Sequence, residues 1–301
     1  MEILGLIPFA VGLMIESLLG LSMNIYILLV YMGNLKNGLS LGASDKVLLS
    51  KVMVNICLQL METTQGVIYV FSPNLFYTHE ILLWFVMGNL FLNSYSYWLI
   101  ALLCVYYCVS ITTCGHQTVV WLKRHLPSHL SHVLIASGFG LFVVSFPNIW
   151  FCAINPTGNT TYQSMFLRGQ FITNEAYRAS SVTLGSFLPL FVAFISTAIT
   201  SWSLINHMWT MKQNNRGFTH SKFQTQLNAT RTMILFLLIA VIYNVILIYF
   251  FRLPSSVSDD AILMIWYLIV SYPIAEAIII IQSSSKLRRN LLRRNLLRGT
   301  F

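Results

Sequence analysis

Residues 227–251 read LNATRTMILFLLIAVIYNVILIYFF, and from Thr232 onward the stretch carries no charge. About 20 apolar residues, at a rise of about 1.5 Å each, form a helix long enough to cross the ~30 Å hydrocarbon core of a bilayer. Working outward, polar, Gly- or Pro-containing segments set off further runs of the same kind near 3–31, 47–71, 80–111, 131–153, 181–210 and 261–282. The composition agrees, with 56% hydrophobic and 9% charged residues and a mean hydropathy of +0.70, where a soluble domain carries about a quarter charged residues. The expected fold is an all-α membrane protein. It is a single domain over residues 1–301, a bundle of seven transmembrane helices followed by a short basic tail at 283–301.

Seven spans put the termini on opposite sides, and the Lys and Arg residues decide the orientation. With the amino terminus extracellular, only Arg168, Arg178 and Arg252 of the eighteen lie outside. The others, Lys51 among them, are assigned to the cytoplasmic side and adjoining helix ends, as the positive-inside rule requires. Glu2 is the only charge before the first run, so that run reads as a retained signal anchor rather than a cleaved leader. The expected location is the plasma membrane. Asn159-Thr160-Thr161 then falls in the second external loop, a glycosylation acceptor, whereas Asn228-Ala229-Thr230 matches the pattern on the cytoplasmic side and is expected to be inert. The five cysteines lie in or beside spans, and no pair of loop cysteines suggests a disulfide. The repeated Leu-Arg-Arg-Asn-Leu of the tail, at 287–291 and 292–296, turns by roughly 140° per copy and makes no clean apolar stripe. It reads as a polybasic segment drawn to anionic lipid.

Charges in hydrocarbon are costly, so acidic residues within spans should face the bundle interior, a partner or water. Glu16, Glu62 and Glu276 are of this kind. Glu62 is open to ligand contact or structural hydrogen bonding, and Glu276 to an interhelical latch or ligand contact. Phe85, Asn89, Asn93 and Ser96 recur at helical spacing in the outer half of the third span, as a pocket lining or as interhelical amides. Pro147, Pro189 and Pro273 fall inside the fourth, fifth and seventh spans, where kinks open space between helices. All seven histidines sit at span ends or in loops, so neither a metal cluster nor an acid/base pair is expected, and the phosphate-binding GxxxxGK[ST] loop is missing. An enzyme, a bound cofactor and a nucleic-acid partner are therefore not expected. A small-solute transporter would need internal repeats and aligned carboxylates, which the sequence lacks; a non-signalling scaffold is the other competing class.

The inner half of the third span runs from Trp98 through Val105-Tyr106-Tyr107-Cys108-Val109-Ser110-Ile111, followed by Trp121-Leu122-Lys123-Arg124-His125-Leu126. The fifth span holds Leu188-Pro189, then Ser203-Leu204, His207 and Met211. The sixth has Phe236-Leu237-Leu238 with Tyr243, the second opens with Ser44-Asp45 and Val47-Leu48, the first carries Gly20 and Asn24, and Lys286-Leu287-Arg288 follows the seventh. In this order the fragments resemble the bitter taste receptors, the type 2 taste receptor family of G-protein-coupled receptors. The chain departs from that pattern at Asn55, where the family commonly has Arg, at Ser110 in place of Lys, and at Glu276-Ala277 in place of His-Ser. These positions, with Pro189 and Pro273, are expected to set resting and active packing. The related vomeronasal type 1 receptors, which sense pheromones, are the alternative resemblance.

The segment before the first span is too short to hold a ligand, and the external loops lack a disulfide scaffold, so a ligand must enter the bundle. The expected cavity is lined by Phe85, Asn89 and Asn93, by Tyr243 and Leu247, and by Ile265 and Trp266, with Glu62 nearby. The resemblance implies bitter small molecules as ligands, with Asn89, Asn93 and Tyr243 at the matching depth. It also implies a heterotrimeric G protein of the inhibitory, gustducin type, met by Tyr107, Lys123, His207, Met211 and Lys222.

Overall fold

The computed structural model describes residues 3–76, 78–112, 117–147, 152–153, 172–173, 175–213, 220–250, 259–284 and 286–290. Seven helical segments are long and apolar enough to cross a membrane. They are α1 (Ile3–Lys36), α2 (Ala43–Phe71), α4 (His79–Ile111), α5 (Gln117–Ser145), the pair α6 (Glu175–Val182) and α7 (Leu188–Gln213), α8 (His220–Phe250), and the pair α9 (Asp259–Val270) and α10 (Tyr272–Ser283). A single turn, α3 (Pro73–Phe76), joins α2 to α4. The strand pair β1 (Cys152–Ala153) and β2 (Ile172–Thr173) is antiparallel, with Cys152 opposite Thr173. The architecture is the expected seven-helix membrane bundle.

Solvent preference explains how the helices are turned. Leu18, Ile135, Phe139, Phe194, Trp202 and Leu238 point outward, while Asn24, Lys51, Asn55, Gln59, Glu62, Ser96 and Glu276 are buried. Lipid solvates the first group without cost, and only the interior offers partners to the second. Helix α4 lies at the centre, packed against α2, α5, α7 and α8.

The fourth helix corrects the expected span at 131–153. It begins at Gln117, a polar stretch that remains helical beyond its apolar part, and it ends at Ser145. Pro147 therefore sits past the helix in a turn, not inside it. Hydropathy marks where the hydrocarbon ends, whereas backbone hydrogen bonding carries on until a turn stops it. For the same reason α1 runs on to Lys36 and α8 starts at His220.

Pro189 and Pro273 each mark a break. Between α6 and α7 the chain widens into a π-turn at Thr183–Phe187, where the Leu188 N–H bonds to the Thr183 carbonyl. The next acceptor, Leu184, would need the N–H of Pro189, which does not exist. The Trp98 indole of α4 supplies the missing donor, at 3.1 Å from the Leu184 oxygen. In the seventh span Ser271 separates α9 from α10, and Pro273 sits in the first turn of α10, where a missing N–H costs least.

Candidate functional site

Four polar residues of α2, Lys51, Asn55, Gln59 and Glu62, are spaced at i, i+4, i+8 and i+11, so they share one helix face. Asn89, Asn93 and Ser96 of α4 do the same, as do Tyr272 and Glu276 of α10. The three stripes meet inside the bundle. Lys51 Nζ lies 2.7 Å from Glu276 Oε1, with both side chains buried. Lys51 also donates to the Ser96 hydroxyl, which is 3.3 Å from the Tyr272 hydroxyl, and its ammonium sits 5.3 Å from the centre of the Tyr272 ring. Lys51 thus does not belong to the basic helix ends where the sequence reading put it. It is the buried partner of Glu276, tying α2 to α10 and α4. The signal for it was its register with Asn55, Gln59 and Glu62, a second polar stripe to match the one on α4.

Beside this pair, Asn24 of α1 donates to the Gly20 carbonyl at 3.0 Å and to the Pro273 carbonyl at 3.4 Å. Gly20 itself permits the approach, since a Cβ there would stand 2.5 Å from the Gln59 amide oxygen and 2.8 Å from Ile274. Asn55 is fully buried beside the Glu276 carboxyl group.

Toward the end of the bundle where α1 begins, a second polar group forms. Tyr243 donates to Glu62 Oε1 at 3.3 Å, Asn93 Nδ2 donates to the Asn89 carbonyl at 2.9 Å, and Asn89 Nδ2 donates to Gln65 Oε1 at 3.0 Å. The rings of Tyr243 and Tyr272 are stacked, 3.9 Å between centroids and 8° from parallel. That stack joins the Glu62 group to the Lys51–Glu276 pair. Glu62, Asn93 and Tyr243, from three helices, are therefore brought together as a unit.

The other expected lining residues sit in a separate environment. Trp266 packs against Phe9, Tyr69 and Phe250 with ring centroids 5.7 to 6.5 Å apart, and Phe85 joins the cluster through Phe76 at 6.3 Å. Leu247 and Ile265 are half-buried against the main core. The aromatic cluster lies about two turns along α2 from Glu62 and one turn along α4 from Asn89, toward the end where α1 begins.

At the opposite end, Tyr107 is half-buried, Lys123 donates to the Thr112 carbonyl at 2.7 Å, and His207 is exposed. Ser110 is exposed and donates to the Tyr106 carbonyl of its own helix. Residues 286–290 form a short helix in which Leu287 is buried and Lys286, Arg288 and Arg289 are exposed. Tyr26 anchors it by donating to the Leu287 carbonyl at 3.0 Å. Asn159 and the side chains of Met211 and Lys222 lie outside the described residues. Cys57, Cys104 and Cys108 are free thiols.

The sequence model of the taste receptor protein (TAS2R) family matches residues 1–297. The chain belongs to the type 2 taste receptor family. It is 25% identical over 283 residues to taste receptor type 2 member 40 of Gallus gallus, covering 92% of this chain and 90% of that one. Taste receptor type 2 member 4 of Pan troglodytes is 27% identical over 239 residues, 77% of each chain. Taste receptor type 2 member 9 of Macaca mulatta is 23% identical over 252 residues, 83% of this chain and 80% of that one. This taste receptor is a multi-pass membrane protein of a chemosensory receptor family, not an enzyme; such receptors take small-molecule ligands and couple to G proteins. In its core the buried cation is Lys51, one turn before Asn55, and it is paired with Glu276.

Proposed function

We propose that this receptor sits in the plasma membrane with its amino terminus outside, binds bitter small molecules in the outer half of the bundle, and activates a gustducin-type, inhibitory-class G protein at the inner face. The observation that carries the reading is the convergence of Glu62, Asn93 and Tyr243, with an aromatic cluster toward the end where α1 begins. A few hydrogen-bonding groups among aromatic walls suit small, largely apolar ligands. The Tyr243–Tyr272 stack supplies a physical link from that group to the Lys51–Glu276 pair deeper in the bundle. A ligand that binds one arrangement of this core more tightly than another shifts the population toward it. Tyr107, Lys123, His207, Met211 and Lys222 are assigned to the G-protein side, the basic tail to anionic lipid, and Asn159 to an external glycan.

The test is calcium release in cells co-expressing the receptor with a gustducin-chimeric G protein, screened against a panel of bitter compounds and repeated with Asn93→Ala. A response in the parent that falls at least about tenfold in potency on losing the amide supports the reading. Silence to the whole panel despite confirmed surface expression rejects it, and saturable transmembrane flux of a panel compound would point to a transporter instead.

A further inference from the structure

We infer that Glu62 is the counter-ion of a protonated amine, and that this receptor selects aromatic ammonium ligands over their neutral counterparts. The inference rests on the reading of the bundle as a ligand-binding receptor and deepens it by naming the ligand class. Within the group at the end where α1 begins, the side-chain donors of Asn89, Asn93 and Tyr243 are engaged. Asn89 donates to Gln65, Asn93 to the Asn89 carbonyl, and Tyr243 to Glu62 Oε1. On Glu62 and Asn93 what remains open is acceptors, while one turn deeper on α2 the Gln59 amide is also without a hydrogen-bond partner among the described residues. Glu62 Oε2 and Asn93 Oδ1 have no hydrogen-bond partner among the described residues, although Glu62 is 2% and Asn93 8% exposed. The Tyr97 hydroxyl, able to play either part, is also open.

A group that completes this cluster must therefore donate hydrogen bonds, and the carboxylate asks for one that is positively charged. Among the described residues the chain does not provide it: the one ion pair there is Lys51–Glu276, which occupies the buried Lys. An acidic side chain in a membrane interior without a partner marks a ligand or ion pathway. The surroundings point to the rest of the ligand: the Tyr243 hydroxyl bonds to the carboxylate, and the cluster of Trp266, Tyr69 and Phe85 toward the end where α1 begins is aromatic. An ammonium group is attracted to such rings, and an aryl group packs among them.

The test uses the purified full-length receptor in lipid–detergent micelles, with phenethylamine and its neutral analogue phenethyl alcohol as probes. Binding is read from the probe-dependent rise in melting temperature, and a parallel arm measures nucleotide exchange on a gustducin-chimeric G protein. The expected result is a preference for phenethylamine of roughly tenfold or more, which disappears in Glu62→Gln while phenethyl alcohol binding is unchanged. In Glu62→Asp, which keeps the charge but withdraws it by one methylene, phenethylamine weakens several-fold and the alcohol does not. That variant decides the matter should Glu62→Gln fail to fold. Equal binding of the two probes, binding of neither, or a preference that survives Glu62→Gln overturns the inference. So does displacement of phenethylamine by sodium chloride but not by choline chloride, which would assign the site to an inorganic cation. Amine preference without nucleotide exchange from either probe supports the counter-ion while rejecting the receptor reading. Exchange driven equally by the alcohol rejects the counter-ion while supporting the receptor.

Discussion

Lys51 and Glu276 show how much a single residue can decide in a membrane core. Each would cost about 2.5 to 3.5 kcal/mol alone in hydrocarbon, and at 2.7 Å each removes most of that cost for the other. Removing one partner strands the other, so Lys51→Met should destabilise the receptor by about 3 to 5 kcal/mol, whereas Lys51→Met with Glu276→Leu should recover most of the loss. Melting of the purified proteins separates the cases. Losses that simply add in the double variant would mean that the two charges do not support one another. Glu276 was legible in the sequence as a candidate latch, because an acid between apolar neighbours has to be satisfied somewhere. Its partner was not, because Lys51 lies only five residues beyond Lys46 and so resembles one more basic residue at a helix end. Which of two nearby lysines turns inward is settled by helix register against α4 and α10, and no single-chain charge count contains that information.

The π-turn before α7 is the clearest case of an element shaped by one residue type. Pro189 removes the N–H that Leu184 would use, and a carbonyl left without a donor in lipid has no water to turn to. The Trp98 indole of α4 meets that need, and Gly185 lets α4 approach closely, since a Cβ there would collide with the Ser94 side chain. Trp98→Phe should therefore cost about 1 kcal/mol beyond the lost packing. In a Pro189→Ala background, where the backbone can close its own hydrogen bond, that part of the cost should vanish. A double-mutant cycle on melting temperature reads the coupling directly, and additive effects would show that Trp98 does not serve the break at Pro189. The sequence made the kink at Pro189 legible, as it did the existence of all seven spans, because apolar length and proline are local properties. It put Pro147 inside a helix that ends at Ser145 for the complementary reason, that helix ends depend on turns and partners which apolarity does not register.

Across the whole molecule, the polar core forms one connected path. Glu62 leads through Tyr243 to the stacked Tyr272, and Tyr272 meets Ser96, which accepts from Lys51, the partner of Glu276. If ligand occupancy beside Glu62 and G-protein engagement at the far end bias the same core, each must change the affinity for the other by the same factor. A coupling free energy of about 1 to 3 kcal/mol would raise agonist affinity roughly 5- to 150-fold when nucleotide-free G protein is bound. Tyr272 touches both halves of the path without belonging to the group around Glu62, so Tyr272→Leu should separate binding from coupling. Agonist affinity of the uncoupled receptor should stay within about threefold of the parent, while the G-protein-dependent gain in affinity should largely disappear. The measurement is agonist affinity in membranes with nucleotide-free G protein and again after excess guanine nucleotide. A gain that survives Tyr272→Leu intact would mean that coupling runs through apolar packing between the helices instead. A variant that loses affinity equally in both states would instead place Tyr272 in the ligand site.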